Sequence, residues 1–149
     1  MSIGLTSAAR AALLAQVQDI YARLALLPFE HSCTGLSQCC RFRLTGRTPF
    51  LTRGEALLAR QAARSSGKKK LPPAPDGSCP LLSPDGRCSI YAARPFACRT
   101  HFCDAAGGPY PRKLVRDLIH ELEAVDQLLG GRGGMGLPAA LKWASDQTP

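Results

Sequence analysis

Seven cysteines in the middle of a 149-residue chain constrain its fold more than any other feature. Metal or cluster ligation, disulfides and ordinary burial are the three ways to account for them. The odd number fits poorly with a closed disulfide framework, and the clustering favours ligation. Thiolates are soft ligands that select zinc, copper(I) or iron–sulfur clusters. The cysteines are Cys33, Cys39, Cys40, Cys79, Cys88, Cys98 and Cys103.

The cysteines fall into three groups, at 33–40, at 79–88 and at 98–103, and none has the C-x2-C spacing of a zinc finger. A shared site closes loops tens of residues long, so ligation would organise most of the middle of the chain. Adjacent thiols such as Cys39 and Cys40 point in different directions, so one ligates while the other packs, or a larger cluster or a second ion takes both.

Other side chains near the cysteines are weaker candidates. His101 either replaces a thiolate or hydrogen-bonds a ligand, and His31 has a smaller claim. Arg41, Arg94 and Arg99 flank cysteines, where a guanidinium can hydrogen-bond cluster sulfur or a bound anion. Surface salt bridges explain these arginines equally well.

Two amphipathic helices are predicted, one before the cysteines at about 7–27 and one after them at about 112–129. Apolar residues recur there at spacings of three and four, which is typical of a helical seam. The seams pack against each other, or one pairs with its copy in a second subunit. The seam residues are Leu13, Val17, Ile20, Leu24 and Leu27, then Val115, Leu118, Leu122, Val125 and Leu129.

Between the long helices, Thr52-Arg-Gly-Glu55 is a capping box that predicts a helix from about residue 53 to 64. Its buried face is expected to carry Leu57, Leu58 and Gln61. The lysines at 68–70 lie in a predicted loop. No aromatic residues alternate with them, so they indicate a solvent-exposed basic segment rather than a nucleic-acid-binding site.

A short β-hairpin is predicted over 79–91 because Ser-Pro-Asp-Gly favours a type I turn from Ser83 to Gly86. A two-residue loop puts Cys79 and Cys88 on one face, whereas a three-residue loop with a bulge at Gly86 separates them. Ser89 is expected to cap a helical turn that ends at Pro95. The glycine-rich stretch 130–149 predicts a flexible tail with one helical turn around Leu141 and Trp143.

The formal charge of +8 counts every cysteine as neutral, so thiolate ligands would reduce it. No stretch approaches the roughly 20 apolar residues of a transmembrane helix. The opening residues lack the pattern of a signal peptide, and we therefore expect a cytoplasmic protein with reduced thiols.

The spacing C-x5-CCR, followed by CPLL-x3-GRCSIYAARPFACR, resembles the YkgJ-type cysteine-cluster family, a zinc- or iron-chelating or iron–sulfur domain. The resemblance runs from Cys33 to about Cys103 and includes the stretch LTRGE at 51–55. It implies metal or cluster binding, and in some larger members a link to protein methylation. The chain departs from the family pattern at Leu36, which stands where a cysteine is expected, and Cys103 is an additional thiol.

We therefore expect one domain over residues 1–149, mainly α-helical, with a cysteine-rich irregular middle at 31–103 and a short β-hairpin. Its expected function is to hold an iron–sulfur cluster or zinc, in a redox, structural or metal-transfer role. The alternative is a zinc-stabilised basic module that binds nucleic acid or an acidic protein. No catalytic residue is assigned, and both a monomer and a homodimer fit the sequence.

Overall fold

The computed structural model describes residues 4–27, 48–100 and 111–147, and this part of the chain is mainly α-helical. It contains five α-helices, one 3-10 turn at Tyr91–Ala93 and one two-stranded antiparallel sheet. The helices are α1 at Ser7–Ala25, α2 at Arg53–Ser65, α3 at Phe96–Thr100, α4 at Arg112–Leu128 and α5 at Leu137–Gln147, and the strands are β1 at Phe50–Leu51 and β2 at Met135–Gly136.

The two long helices predicted from the apolar seams are confirmed, and they pack against each other within the chain. Thr6 begins α1 by accepting a hydrogen bond from the amide of Ala9 at 3.0 Å. Arg23 of α1 makes a bidentate pair with Glu121 of α4, with nitrogen–oxygen distances of 2.8 and 2.9 Å. Helix α1 ends two residues earlier than predicted, at Ala25.

Helix α2 lies at the centre of the fold and contacts α1, α4 and α5. Its capping box is confirmed, and Leu57 and Leu58 are buried as predicted. The prediction for Gln61 was wrong, because this side chain is exposed. The small residues Ala56, Ala59 and Ala63 are fully buried instead, so α2 presents a smooth face that lets neighbouring helices approach closely.

The predicted flexible tail over 130–149 is wrong over residues 137–147, which form the three-turn helix α5 on α2. Leu137, Ala140, Leu141 and Ala144 bury one face of this helix. Strand β2 pairs with β1, with Phe50 opposite Gly136. The single helical turn predicted around Leu141 and Trp143 was therefore too short.

A buried carboxylate organises the glycine-rich stretch before α5. Asp126 is 1% exposed and accepts from the amides of Arg53 at 2.8 Å and Gly133 at 3.0 Å. It therefore joins the beginning of α2 to the loop after α4. The guanidinium of Arg53 donates to the Leu129 carbonyl and lies over the Trp143 ring, 4.7 Å from its centre.

The lysine-containing loop after α2 is held through its backbone. The guanidinium of Arg60 donates to the carbonyls of Lys68 and Lys69. The side chains of Lys69 and Lys70 are exposed, which agrees with the predicted solvent-exposed basic segment. Among the helices in the described ranges, none combines the length and the apolar character that crossing a bilayer requires.

Candidate metal centre

Three of the seven predicted ligands lie in the described segment 78–100, which packs on the hydrophobic core beside α2. Cys79 is 5% exposed and belongs to the core, while Cys88 and Cys98 are partly buried and pack against it. All three are thiols rather than halves of disulfides. Cys33, Cys39, Cys40, Cys103, His31, His101, Arg41 and Leu36 lie outside the described residues.

The hairpin predicted around Cys88 is present as one antiparallel bridge, between Leu82 and Cys88. Its register is that of the three-residue loop, because Ser83 donates to the Arg87 carbonyl at 2.8 Å and Gly86 donates to the Ser83 carbonyl at 2.9 Å. Gly86 has a φ of 84°, a conformation that glycine adopts without strain.

Cys79 lies outside the paired part of the hairpin. The amide of Leu82 donates to the Cys79 carbonyl at 3.0 Å, which makes a turn of the residues before the bridge. The alternation of faces along a strand therefore does not extend from Cys88 to Cys79. The turn, rather than strand pairing, sets where the Cys79 thiol lies.

Cys98 is carried by the short helix α3. The turn before it ends ahead of Pro95 as predicted, but the prediction for its cap was wrong. Ser89 does not cap the turn that follows, because its hydroxyl donates to the Leu81 carbonyl across the hairpin at 2.6 Å. Pro95 ends the 3-10 turn but also begins the next helix, since its carbonyl accepts from the amides of Cys98 and Arg99 at 3.0 and 3.1 Å. Proline is well tolerated at the start of a helix, where an amide hydrogen is not needed.

Arg94 precedes the Cys98 helix and Arg99 lies on it, and both donate to backbone carbonyls. Arg94 bonds the Tyr91 carbonyl at 3.0 Å and stacks 3.9 Å from the centre of the Tyr91 ring. Arg99 bonds the carbonyls of Arg94 and Ala92 and stacks 4.2 Å from the centre of the Tyr21 ring. Burial lowers the pKa of Arg99. A role of these two arginines toward a bound cofactor stays a prediction.

A buried carboxylate next to α3 was recognised in the sequence only as a helix cap. Glu55 is 2% exposed, and its oxygen Oε1 accepts from the Tyr21 hydroxyl at 3.1 Å and from the Phe96 amide at 2.6 Å. Its oxygen Oε2 accepts from the amide and the hydroxyl of Thr52, both at 3.0 Å.

Burial raises the pKa of Glu55, and the hydrogen bonds from Thr52, Phe96 and Tyr21 oppose this shift. Burial and the neighbouring Glu55 carboxylate raise the pKa of Tyr21 well above its ordinary value. The signal for Tyr21 in the sequence was a hydroxyl within an otherwise apolar seam. Nothing in the seam indicated its partner, which is 34 residues away.

Within residues 4–27, 48–100 and 111–147, no group of three or more histidines, cysteines or carboxylates is placed to hold a metal ion. The described thiols therefore do not form a metal site among themselves. The three described cysteines are suitable ligands for zinc and iron, because both metals bind soft thiolates and these cysteines are not in disulfides. A complete site needs ligands from elsewhere in the chain.

Comparison with known proteins identifies one matching family. The model of CxxCxxCC, described as "Putative zinc- or iron-chelating domain", matches residues 32–116, more than half of the chain and all seven cysteines. Searches of curated proteins and of solved structures returned no match. The family match agrees with the resemblance seen in the sequence and with metal chelation through cysteines.

Proposed function

The chain belongs to the CxxCxxCC family of zinc- or iron-chelating domains, and from this premise we propose that it holds an iron–sulfur cluster or a zinc ion through thiolates from three stretches of its middle. The observation that carries the proposal is the family match, which spans all seven cysteines, Cys79, Cys88 and Cys98 among them. All three thiols lie on one 20-residue stretch packed against the core, and none is in a disulfide.

The ligand set is proposed to combine this stretch with the cysteines that precede α2. The leading ligands are Cys40, Cys79, Cys88 and Cys98, with Cys33 and Cys39 next. Four thiolates satisfy a tetrahedral zinc ion or hold a common iron–sulfur cluster. Cys103 compensates for the thiol that Leu36 replaces.

The surroundings of Cys79 and Cys98 are compatible with metal ligation. Burial of Cys79 keeps solvent from its sulfur, and the nearby guanidiniums of Arg94 and Arg99 favour negative charge at α3. An iron–sulfur cluster would supply one-electron chemistry, whereas zinc would stabilise the fold or be passed on to another protein. Reduced thiols also fit the cytosol, which is where we place the protein.

The test is metal analysis of the full chain after anaerobic purification, combined with an absorption spectrum. An iron–sulfur cluster gives a brown protein with visible absorption and bound iron. A colourless protein with stoichiometric zinc would show that the bound group is a zinc ion and not an iron–sulfur cluster.

Cysteine variants identify the ligands in the same experiment. We expect Cys79→Ala, Cys88→Ala and Cys98→Ala each to lower the metal content, whereas Gln61→Ala, at an exposed position of α2, leaves it unchanged. Unchanged metal content in all three cysteine variants would rule out this ligand set.

A further inference from the structure

Glu55 joins the helical scaffold to the helix that carries Cys98. Its carboxylate accepts four hydrogen bonds, two from Thr52 beside it, one from Tyr21 on α1 and one from Phe96 on α3. We propose that Glu55 is a positioning residue for metal binding, which holds α3 so that the Cys98 thiol reaches the metal. This inference rests on the proposed function, in which Cys98 is a ligand.

The first step concerns how α3 is held. A helix of five residues is too short to be stable by itself, so tertiary contacts must set its place. Pro95 has no amide hydrogen, and the Phe96 amide that follows donates to Glu55 at 2.6 Å. The Phe96 side chain is itself buried in the core. The residue two positions before Cys98 is therefore fixed both by packing and by the Glu55 carboxylate.

The second step concerns the other side of Cys98. The Tyr21 hydroxyl donates to the same oxygen of Glu55, and the Tyr21 ring lies under the Arg99 guanidinium. Arg99 in turn donates to the carbonyls of Arg94 and Ala92, at 2.5 and 2.9 Å. Contacts that begin at Glu55 therefore hold the chain on both sides of Cys98, at residues 96 and 99.

The third step is chemical. Each oxygen of Glu55 accepts from one hydroxyl and from one backbone amide, and a backbone amide cannot become an acceptor. In Glu55→Gln, one end of the side chain becomes an NH2 group and faces either the Thr52 or the Phe96 amide. That end loses the hydrogen bond from the backbone amide, which leaves a buried donor unpaired. We expect the link between α2 and α3 to loosen.

Asp126 provides a matched control. It is also a buried carboxylate that accepts from two backbone amides, at 2.8 and 3.0 Å, and one of them lies at the beginning of the same helix α2. Its hydrogen bonds go to Arg53 and Gly133, on the side of α2 that faces the α4–α5 loop. Asp126→Asn should therefore weaken the fold without moving Cys98.

The experiment measures the zinc affinity of the full chain by competition with a chromophoric chelator, and the thiolate absorption bands after replacement of zinc by Co²⁺. We expect Glu55→Gln to bind zinc about 10-fold more weakly, as typically follows loss of a residue that supports a ligand. We also expect its cobalt bands to change. Asp126→Asn should match the wild type in both measurements.

Tyr21→Phe is the second variant, and it keeps the test decisive if Glu55→Gln does not fold. It removes one hydrogen bond to Glu55 and leaves an aromatic ring under Arg99, so we expect zinc affinity to fall about threefold with altered cobalt bands.

Three results would overturn the inference. The first is wild-type affinity and wild-type spectra in the Glu55 or Tyr21 variant. The second is an equal loss of affinity in the Asp126 variant. The third, failure of the wild-type chain to bind either metal, would overturn the proposed function as well.

Discussion

Gly54 lies where α1 and α2 make contact, and replacing it by alanine tests this packing directly. A Cβ at position 54 would meet Cγ2 of Val17 at 2.8 Å, Val125 at 3.5 Å and Leu129 at 3.6 Å. Val17 is fully buried, and a β-branched side chain in a helix has one strongly preferred rotamer. The new methyl group therefore pushes the helices apart or forces Val17 off its rotamer.

Two opposing effects decide the size of the change. Alanine in place of glycine stabilises a helix interior by about 0.5 to 1 kcal/mol, and less in the first turn, where Gly54 lies. Overpacking a well-packed core destabilises it by about 1 to 3 kcal/mol. The free energy of unfolding should therefore fall by about 1 to 2 kcal/mol, as measured by urea unfolding followed by circular dichroism.

A double-mutant cycle with Val17→Ala separates close packing from other causes. Val17→Ala alone should lower the free energy of unfolding by about 2 kcal/mol, through lost burial and the cavity it leaves. In that background the Cβ of residue 54 enters the cavity, so Gly54→Ala should be neutral or stabilising.

The control is Gly4→Ala, where a Cβ meets nothing within 4 Å and no loss of stability is expected. If Gly54→Ala is as stable as the wild type, or if the two changes simply add, the packing argument fails.

Two further predictions concern buried carboxylates. Gly131→Ala places a methyl group against the Asp126 carboxylate, so the free energy of unfolding should fall by about 2 kcal/mol, and an unchanged urea midpoint would speak against this contact. Burial raises the pKa of Glu55, so its contribution to stability is fully present below the pKa it has in the unfolded chain and is lost as pH rises through its folded pKa. We therefore expect the wild type and Glu55→Gln to become more similar in unfolding free energy as pH rises from acid to neutral, measured with a chelator present. A difference that grows with pH would show that the pKa of Glu55 is not raised by folding.

The sequence predicted those parts of the fold that depend on local patterns. The seams around Val17 and Leu122 have helical spacing, and the pair Thr52 and Glu55 forms a cap within one helical turn. Each signal lies within a few residues, so periodicity and residue type were sufficient. The exposed position of Gln61 was missed because small residues form much of the buried face of α2, and alanine is a weak hydrophobic signal.

Contacts between distant parts of the chain were not predictable in the same way. Glu55 reaches the Phe96 amide across 41 residues, and Asp126 reaches the Arg53 amide across 73. The glycines after Leu129 suggested a flexible tail, yet the Asp126 carboxylate holds the Gly133 amide and α5 packs on α2. The cysteine clusters were visible in the sequence, but their spacing does not say which side chains hold them in place.

The central claim, that thiolates from the middle of the chain hold zinc or iron, is tested most directly by counting metal and accessible thiols together. In the anaerobically purified full chain we expect at least one equivalent of zinc or iron, and most of the seven cysteines protected from a thiol reagent until a chelator is added. A metal-free protein whose thiols react at the same rate with and without chelator would contradict the claim.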